Sequence, residues 1–360
     1  MNAPLRIGVI GHTGRGNYGH GIDTAWRQIP ETRIVAVADA DPEGRRKAES
    51  RLGVSTSYAD YRQMLESEKL DIVAVCPRWI DQHHAMILAA AEHGCHIYME
   101  KPFCRTLREA DEIIEQLEMR HLRLAIAHIT RYSPVIHEVK KRIEQGEIGE
   151  ILELRARGKE DRRGGGEDLW VLGTHMLDLM LMLGGPAQSC FARVTQTGVP
   201  VTRKQAVDGN EGIGLLAGDG IDASYRLASN ATGFFASHRD KAGNPSRFGL
   251  TVYGSRGMIQ CQSGYNRAAW ILKDPSWSPG RSGVRWETIS PSPSPVHADG
   301  NTAAIADLVN SIRQQRDPRS GPQEARRATE MIVAVFASHL RGSAVALPLA
   351  ERGNPWETSS

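Results

Sequence analysis

The first third of the chain alternates short apolar runs with amphipathic segments of helical length, and this alternation constrains the fold more than any other feature. The runs read LRIGVI, RIVAVAD, DIVAVC, HIYME and LRLAIAH, all within residues 5–128. Two helix starts are marked, one by Asp41 before Pro42 and one by the capping-box pair Thr106 and Glu109. The pattern predicts an α/β domain in which a parallel sheet has helices on both faces.

After residue 128 the pattern changes to successive strand-like runs joined by short turns that contain glycine. These runs read ILELRARG, GIGLLAG, IDASYRLA, TGFFASH, FGLTVYG and GMIQCQ. They predict a second, α+β domain over residues 129–360 with a large open, mostly antiparallel sheet. Helices are expected over 167–183, 299–315 and 322–341, with the option that the C-terminal helices pack back on the first domain. The Ser- and Pro-rich stretch 274–295 is expected to be a loop or an irregular edge.

Length and charge limit the classes of protein to which the chain can belong. At 360 residues it exceeds what one core usually organises, which predicts two domains. Its net charge of +2 comes from 44 basic and 42 acidic residues, so we expect neither a nucleic-acid nor a membrane partner. The five cysteines lack C-x-x-C spacing, which indicates reduced thiols and no metal site. A strand-like run near the start leaves no room for a signal peptide, and we expect a cytoplasmic protein.

A glycine-rich turn follows the first apolar run. Glycines let the backbone approach a pyrophosphate, and the N-terminus of a following helix favours the anion. The turn departs from G-x-G-x-x-G because a threonine occupies the middle glycine position, and alone it also fits a flexible surface turn. Asp39 ends the second run, about 20 residues further on, where an acid binds the adenosine ribose. The residues predicted to bind the cofactor here are Gly11, Thr13, Gly14, Arg15, Gly16 and Asp39.

The acid also bears on the choice of dinucleotide. A carboxylate at Asp39 repels a 2′-phosphate, so NAD is expected in preference to NADP. Arg45 and Arg46 lie just downstream and leave NADP open.

The tripeptide Glu100-Lys101-Pro102 follows a predicted strand, which places the lysine at the carboxyl edge of the sheet, where ligands of doubly wound sheets bind. With it, the chain resembles the Gfo/Idh/MocA family of oxidoreductases, whose first domain is of the Rossmann type. Further matching features are Cys76-Pro77, His83 before Gly94, Arg131-Tyr132, Gly146 to Gly149, a glycine-rich segment before His175 and Asp178, Gly254 to Gly257, and the closing ALPL.

The resemblance implies roles for particular residues of an active site to which both domains contribute. Lys101 would hydrogen-bond the reacting hydroxyl beside the nicotinamide, and Glu100 would orient the site. The region of Pro77 and His83 would line the nicotinamide pocket. His175 stands at the position of the family's catalytic histidine, where an imidazole that titrates near neutral pH serves as general base or acid.

The family's acid four residues before that histidine is replaced here by Val171. Asp168 lies seven residues before His175, about two helical turns, and is therefore predicted to project on nearly the same face. Two interpretations stand equally. Asp168 either replaces the missing acid as orienter or substrate ligand, or serves the helix dipole at the first turn.

Polar and aromatic residues of the second domain complete the predicted site. Saccharide hydroxyls need donors and acceptors, and the apolar face of a sugar stacks on an aromatic ring. The three glycines at 164–166 indicate close approach to a ligand or a loop that moves. The predicted substrate-binding residues are Arg131, Glu160, Arg163, Trp170 and His238.

The resemblance implies hydride transfer between NAD(P) and a secondary alcohol carbon of a sugar, cyclitol or related polyol. Two alternatives stay open. One is redox-neutral, NAD-dependent glycoside cleavage through a transient keto-sugar, and the other is a non-catalytic, dinucleotide-sensing regulatory protein. An open sheet usually buries its free face, so we expect a homodimer or homotetramer.

Overall fold

A computed structural model of the chain describes residues 3–264, 267–276, 281–291 and 300–357. The chain divides into two compact units. The first unit comprises Met1–Ile129, Asn210–Ile213 and His297–Arg326, and the second comprises Thr130–Gly209, Gly214–Val296 and Arg327–Ser360.

The described residues form the following strands and helices. The strands are β1 (Leu5–Ile10), β2 (Thr32–Ala38), β3 (Ser57–Tyr58), β4 (Ile72–Val75), β5 (His96–Met99), β6 (Leu124–Ile126), β7 (Ile151–Arg157), β8 (Ala187–Gln196), β9 (Val199–Pro200), β10 (Val207–Gly209), β11 (Gly214–Leu216), β12 (Gly220–Leu227), β13 (Thr232–His238), β14 (Gly249–Gly254), β15 (Gly257–Gln262), β16 (Ala268–Leu272), β17 (Glu287–Thr288) and β18 (Val345–Ala346). The α-helices are α1 (Ile22–Ala25), α2 (Pro42–Leu52), α3 (Tyr61–Ser67), α4 (His83–Glu92), α5 (Leu107–Met119), α6 (Pro134–Glu144), α7 (Gly166–Asp168), α8 (Thr174–Gly184), α9 (Gly300–Gln314) and α10 (Pro322–Arg341).

The first unit is built on a six-stranded parallel sheet in the order β3-β2-β1-β4-β5-β6. Its central strands are apolar on both faces, because helices cover both, and this confirms the predicted Rossmann-type domain. The order reverses between β1 and β4, which creates the switch point at which such sheets bind ligands.

Capping residues begin two helices of this unit where the sequence predicts, but one predicted capping contact differs. The Asp41 side chain accepts a hydrogen bond from the Gly44 amide and begins α2. Thr106 likewise accepts from the Glu109 amide at the start of α5. Glu109 does not complete the capping box, since its carboxylate accepts from the backbone amide of Arg105 instead.

Helix α9 belongs to the first unit and packs against α1, β5 and β6. The Tyr98 hydroxyl donates to the Asn301 side chain over 2.8 Å, and Trp26 packs edge-on against the Tyr98 ring. The predicted start of this helix at residue 299 lies outside the described residues.

The second unit is built on a ten-stranded sheet in the order β17-β16-β15-β14-β7-β13-β12-β8-β18, with β9 paired to β8. Its neighbours are antiparallel except for the parallel pair β7 and β13, which confirms the predicted open, mostly antiparallel sheet. Helix α8 packs against β7, β13 and β14. The sequence did not predict β8, which at ten residues is the longest strand described.

Two observations bear on the expected environment of the chain. All five cysteines are free and buried. None of the helices in the described part of the chain combines the length and apolar character that crossing a membrane requires.

Candidate functional site

The glycine-rich loop lies at the carboxyl end of β1 and extends from Gly11 to Gly21. Gly16 has a φ of 88°, and a Cβ there would come within 2.3 Å of the Arg78 amide nitrogen, so the loop packs against the segment after β4. Gly14 has a φ of 85°, and a Cβ there would meet nothing within 4 Å. The tip of the loop is therefore open, whereas its base is tightly packed.

Asp39, at the end of β2, holds the loop through Thr13. Its carboxylate accepts from the Thr13 amide at 3.1 and 3.2 Å and from the Thr13 hydroxyl at 2.7 Å, and it also accepts from the Asp41 amide. Asp39 is only 2% exposed. The structure thus brings two predicted cofactor residues together, with the acid positioning the loop. Direct contact of Asp39 with a ribose stays a prediction.

The local geometry corrects one part of the predicted anion cradle. The helix that follows the loop, α1, has only four residues, so it offers little helix dipole. Several loop amides are also bonded internally, because Gly14 donates to the Asn17 side chain and both Arg15 and Asn17 donate to the His12 carbonyl. Helix α1 therefore supplies little of the predicted anion site, and contact of Arg15 and Gly14 with a cofactor phosphate stays a prediction.

Arg15 is held on the surface of this edge by two neighbours. Its guanidinium lies 4.2 Å above the Trp79 ring and pairs with the Asp81 carboxylate. Both contacts fix the direction of this cationic side chain beside the open loop tip, and its role in binding the cofactor stays a prediction.

Glu100 and Lys101 follow β5 and are both buried, at 1% and 5% exposure. Glu100 accepts through Oε2 from the Lys101 amide at 3.0 Å. Through Oε1 it accepts from the amide of His20 at 2.8 Å and contacts His20 Nδ1 at 2.6 Å. Burial alone would raise the pKa of Glu100, but His20 and the Lys101 charge lower it, and the net direction is downward. The carboxyl therefore stays ionised in the interior.

His20 is a site residue that the sequence reasoning missed. The available signal was its position between Gly19 and Gly21, two glycines beyond those of the recognised turn. Both have positive φ, and a Cβ on Gly19 would approach the Glu100 Cγ to 2.7 Å.

His83 contacts the backbone of two segments at the carboxyl edge of the sheet. It is fully buried, with Nδ1 2.8 Å from the Pro102 carbonyl and Nε2 2.8 Å from the Pro77 carbonyl. Both ring nitrogens contact backbone carbonyls, so His83 joins the Pro77 segment to the Pro102 segment, and the lining of a nicotinamide pocket by Pro77 and His83 stays a prediction.

In the second unit, the segment that carries Asp168 and His175 is not one regular helix. Asp168 ends the three-residue α7, Leu169–Gly173 form a π-helical turn, and α8 begins at Thr174. The wider π turn breaks the 3.6-residue period, so the helical geometry used to place Asp168 on the face of His175 is wrong. His175 is half-buried in the first turn of α8, and its acid–base role stays a prediction.

Asp168 is instead joined to the strands of the sheet. It is fully buried, and its Oδ2 accepts from the Ser237 hydroxyl at 2.5 Å and the Glu160 amide at 3.1 Å. Burial raises the pKa of this carboxyl against those hydrogen bonds. A π turn often marks a functional segment, so a catalytic role for Asp168 remains a prediction on different geometry.

Glu160 is the centre of a buried ion-pair network rather than an open ligand. Its carboxylate accepts from Arg157 at 2.5 Å, from Arg247 at 2.9 Å and from the His238 amide at 2.9 Å. The His238 ring is partly exposed and faces Asp222 at 3.1 Å. These three donors occupy the carboxylate of Glu160, so a substrate would have to compete with them. The His238 imidazole lies near the surface.

The other predicted substrate residues also have protein partners. Arg131 forms a buried bidentate pair with Asp178, at 2.7 and 3.0 Å. Arg163 pairs with Asp161 at 2.8 Å, and this pairing lowers the pKa of Asp161. Trp170 is 4% exposed within the π turn and packs in the interior of the unit. Substrate contact by these residues is therefore untested by the geometry.

The first unit has the properties of a dinucleotide-binding domain. The residues present fit that ligand, since a glycine loop with an open tip lies at the switch point, an acid follows β2 and a buried lysine follows β5. The fold and these side chains define an oxidoreductase that uses a nicotinamide dinucleotide.

Comparison with known proteins agrees. Residues 5–128 match the sequence model of an oxidoreductase family with an NAD-binding Rossmann fold, and residues 140–347 match the C-terminal alpha/beta domain of the same family. The chain belongs to the Gfo/Idh/MocA family of oxidoreductases.

Individual relatives are distant. A D-apiose dehydrogenase from Paraburkholderia graminis is 24% identical over 356 residues, covering 93% of this chain and 88% of that protein. A structure of levoglucosan dehydrogenase with NADH and L-sorbose has a TM-score of 0.77 at 20% identity, covering 96% and 100% of the two chains. An aldose-aldose oxidoreductase from Caulobacter crescentus has a TM-score of 0.74 at 19% identity, with the same coverage. The two structures establish the shared fold.

Proposed function

We propose that the protein oxidises a secondary alcohol carbon of a sugar, cyclitol or related polyol, with NAD as hydride acceptor, and catalyses the reverse reduction. The observation that carries the proposal is Lys101, a buried lysine placed at the carboxyl end of β5 in a dinucleotide-binding sheet. Relatives named as dehydrogenases of D-apiose, levoglucosan and myo-inositol support the polyol class.

The residues of the first unit have separable tasks in this reaction. When bound, the nicotinamide accepts the hydride from the alcohol carbon. Lys101 donates a hydrogen bond to the reacting oxygen and stabilises the negative charge that develops on it. Glu100 and His83 hold the backbone on either side of Lys101, so the lysine is oriented before the substrate arrives.

The preference for NAD over NADP is part of the same proposal. Asp39 places a buried carboxylate after β2, and a 2′-phosphate beside it would be repelled. Arg45 donates to the Asp39 carbonyl at 2.7 Å, so it is occupied at the position where it would otherwise attract that phosphate.

A dehydrogenase screen with D-apiose, levoglucosan, myo-inositol and simple glycosides, each with NAD and with NADP, tests the function. We expect reduction of NAD with at least one polyol and loss of turnover in Lys101→Ala. Lys140→Ala is the matched control, because the Lys140 side chain on α6 is 44% exposed and pairs with Glu144 at the surface. Full turnover in Lys101→Ala would refute the mechanism, and glycoside cleavage without NADH formation would favour the redox-neutral reaction.

We also propose a homodimer or homotetramer in the cytoplasm. Phe191 on β8 is 55% exposed, and Trp286 beside β17 is 44% exposed, so the sheet of the second unit carries large apolar side chains that association would cover. The five buried, free cysteines support a reducing compartment. Light scattering of the purified protein tests the oligomer, and a monomer at micromolar concentration would contradict it.

A further inference from the structure

The glycine-rich loop after β1 and the segment after β4 are joined by side-chain contacts. His12 Nδ1 lies 2.7 Å from Gln82 Oε1. The Arg15 guanidinium lies 4.2 Å from the centre of the Trp79 ring and pairs with the Asp81 carboxylate. We call this set of contacts the clasp. Because β1 and β4 flank the switch point, the clasp connects the two loops that border the crevice in which a doubly wound sheet binds its ligand.

The Asp81 carboxylate lies between two neighbours. Its Oδ2 accepts from the Arg15 guanidinium, and the side chains of Asp81 and Arg15 are 26% and 37% exposed. Its Oδ1 is buried and meets no hydrogen-bond donor in the described part of the chain. Removing a carboxylate oxygen from water without giving it a donor is unfavourable, so packing by neighbouring residues must keep Asp81 in place. The position of Arg15 beside the loop therefore depends on what covers Asp81.

A turn of the first unit covers this carboxylate. The turn, Asn210–Ile213, joins β10 to β11, and Gly212 within it has a φ of 70°. A Cβ on Gly212 would come within 2.6 Å of Asp81 Oδ1. Glu211, one residue earlier, also has a positive φ, of 58°. Close approach and backbone conformation both require glycine at position 212, so the turn is shaped to fit against Asp81.

The hairpin that carries this turn is anchored by the C-terminal segment. Its strands β10 and β11 pair antiparallel. The Asn354 side chain donates to the Leu215 carbonyl at 2.9 Å, and Arg203, shortly before β10, donates to the Pro355 carbonyl at 3.3 Å. The turn is thus presented to Asp81 by a segment with fixed ends rather than by a free loop.

We propose that Asp81, covered at Gly212, is a positioning residue that holds the clasp together, and that the clasp limits the rates at which the dinucleotide enters and leaves its site. The inference rests on the proposed function and deepens it, because it assigns control of cofactor exchange to the same site. A dinucleotide that binds in the crevice between the two loops must part the clasp on entry and again on release. Loss of one clasp contact therefore accelerates both steps, whereas loss of an ordinary ligand contact accelerates release alone.

Two substitutions weaken the clasp at different points. Asp81→Asn keeps the size of the side chain and removes the charge that faces Arg15. Gly212→Ala keeps Asp81 and displaces the turn that covers it. We expect the rate constants for NADH association and dissociation, measured by stopped-flow fluorescence with excess NAD as the displacing ligand, to rise together. The expected rise is about fivefold in each variant, the upper range for a partly exposed ion pair.

Each variant has a matched control. Glu31→Gln removes the charge from another partly exposed pair, since Glu31 contacts Arg313 at 3.5 Å and precedes β2, at the opposite edge of the sheet. Gly94→Ala introduces the same methyl group at a φ of 72°, where a Cβ meets nothing within 4 Å. Both controls should keep the two rate constants within about twofold of the wild type.

Unchanged rate constants in Asp81→Asn and Gly212→Ala would overturn the proposal. A rise in dissociation alone would also overturn it, because Arg15 would then be an ordinary ligand contact. Hydrogen exchange of the cofactor-free protein supplies a second readout. Amides of residues 11–17 and 79–82 should exchange faster in both variants than in the wild type, and equal exchange would contradict the clasp. Failure of the wild type to bind NADH or NADPH would refute the proposed function, whereas NADH binding with unaltered rates in the variants would refute the clasp alone.

Discussion

The buried pair of Arg131 and Asp178 offers a test that separates a structural role from a substrate-binding role. Their side chains are 10% and 1% exposed, and the two bonds of 2.7 and 3.0 Å form a bidentate contact. In Asp178→Asn the guanidinium stays buried without its counter-charge, and breaking one partner of a buried pair costs about 3–5 kcal/mol. For a unit of this size each kcal/mol shifts Tm by about 2–4 °C, so we expect a loss of roughly 6–20 °C.

The double variant Arg131→Met/Asp178→Leu supplies the comparison. Apolar side chains of similar volume remove both charges, and such replacements are often neutral or stabilising. Scanning calorimetry of the wild type, the single variants Arg131→Met and Asp178→Leu and the double variant should therefore show a large loss in Asp178→Leu, as in Asp178→Asn, and recovery of most of it in the double variant. If the losses simply add, the interpretation of the pair as a charge-compensating unit is wrong.

Turnover of the same four proteins addresses the sequence-based prediction that Arg131 binds substrate. If the role of Arg131 is only to compensate the charge of Asp178, the double variant keeps the kcat/KM of the wild type with the polyol substrate. A folded double variant with a raised KM would instead establish the substrate contact.

Three further outcomes follow from particular residues. Burial holds the pKa of Asp168 above its unfolded value, so stability should decline as pH rises from about 4 toward that raised pKa. Asp168→Asn should flatten this decline in urea unfolding, and an unchanged pH dependence would contradict it. Gly16→Ala should weaken NADH binding measured by fluorescence at least tenfold, since its Cβ would meet the Arg78 backbone at 2.3 Å and φ is positive, whereas Gly94→Ala, with open space, should not. Thr106→Ala should cost about 1 kcal/mol by chemical denaturation through loss of the α5 cap, and no loss would contradict that role.

The fold could be predicted where burial leaves a strong pattern in the sequence. Strands β4 and β5, and the last four residues of β1, are apolar on both faces and read as continuous runs, and β13 and β15 were predicted to the residue. Strand β8 was missed because its sequence, AQSCFARVTQ, has few β-branched residues. Its identity as a strand depends on pairing with β12, a contact that no local pattern expresses.

The π turn at Leu169–Gly173 shows a second limit of prediction from the sequence. A sequence can indicate a helix, but placing two side chains on one face also requires the number of residues per turn. One wide turn between Asp168 and His175 was enough to invalidate the inference from their spacing. The backbone hydrogen bonds of the folded chain reveal this turn.

Charged residues were the least predictable part of the site, for an energetic reason. A charge that is removed from water must be paired. The buried Glu160 and Arg131 therefore form ion pairs with the opposite charges that the fold brings near them. Several residues whose type predicted substrate ligands are thus held in ion pairs, and their contact with a substrate stays a prediction. The reverse arrangement also occurs, in which a buried carboxylate contacts a half-exposed imidazole. That arrangement occurs at Glu100 and His20, which lie 80 positions apart in the chain, and the fold alone brings them together.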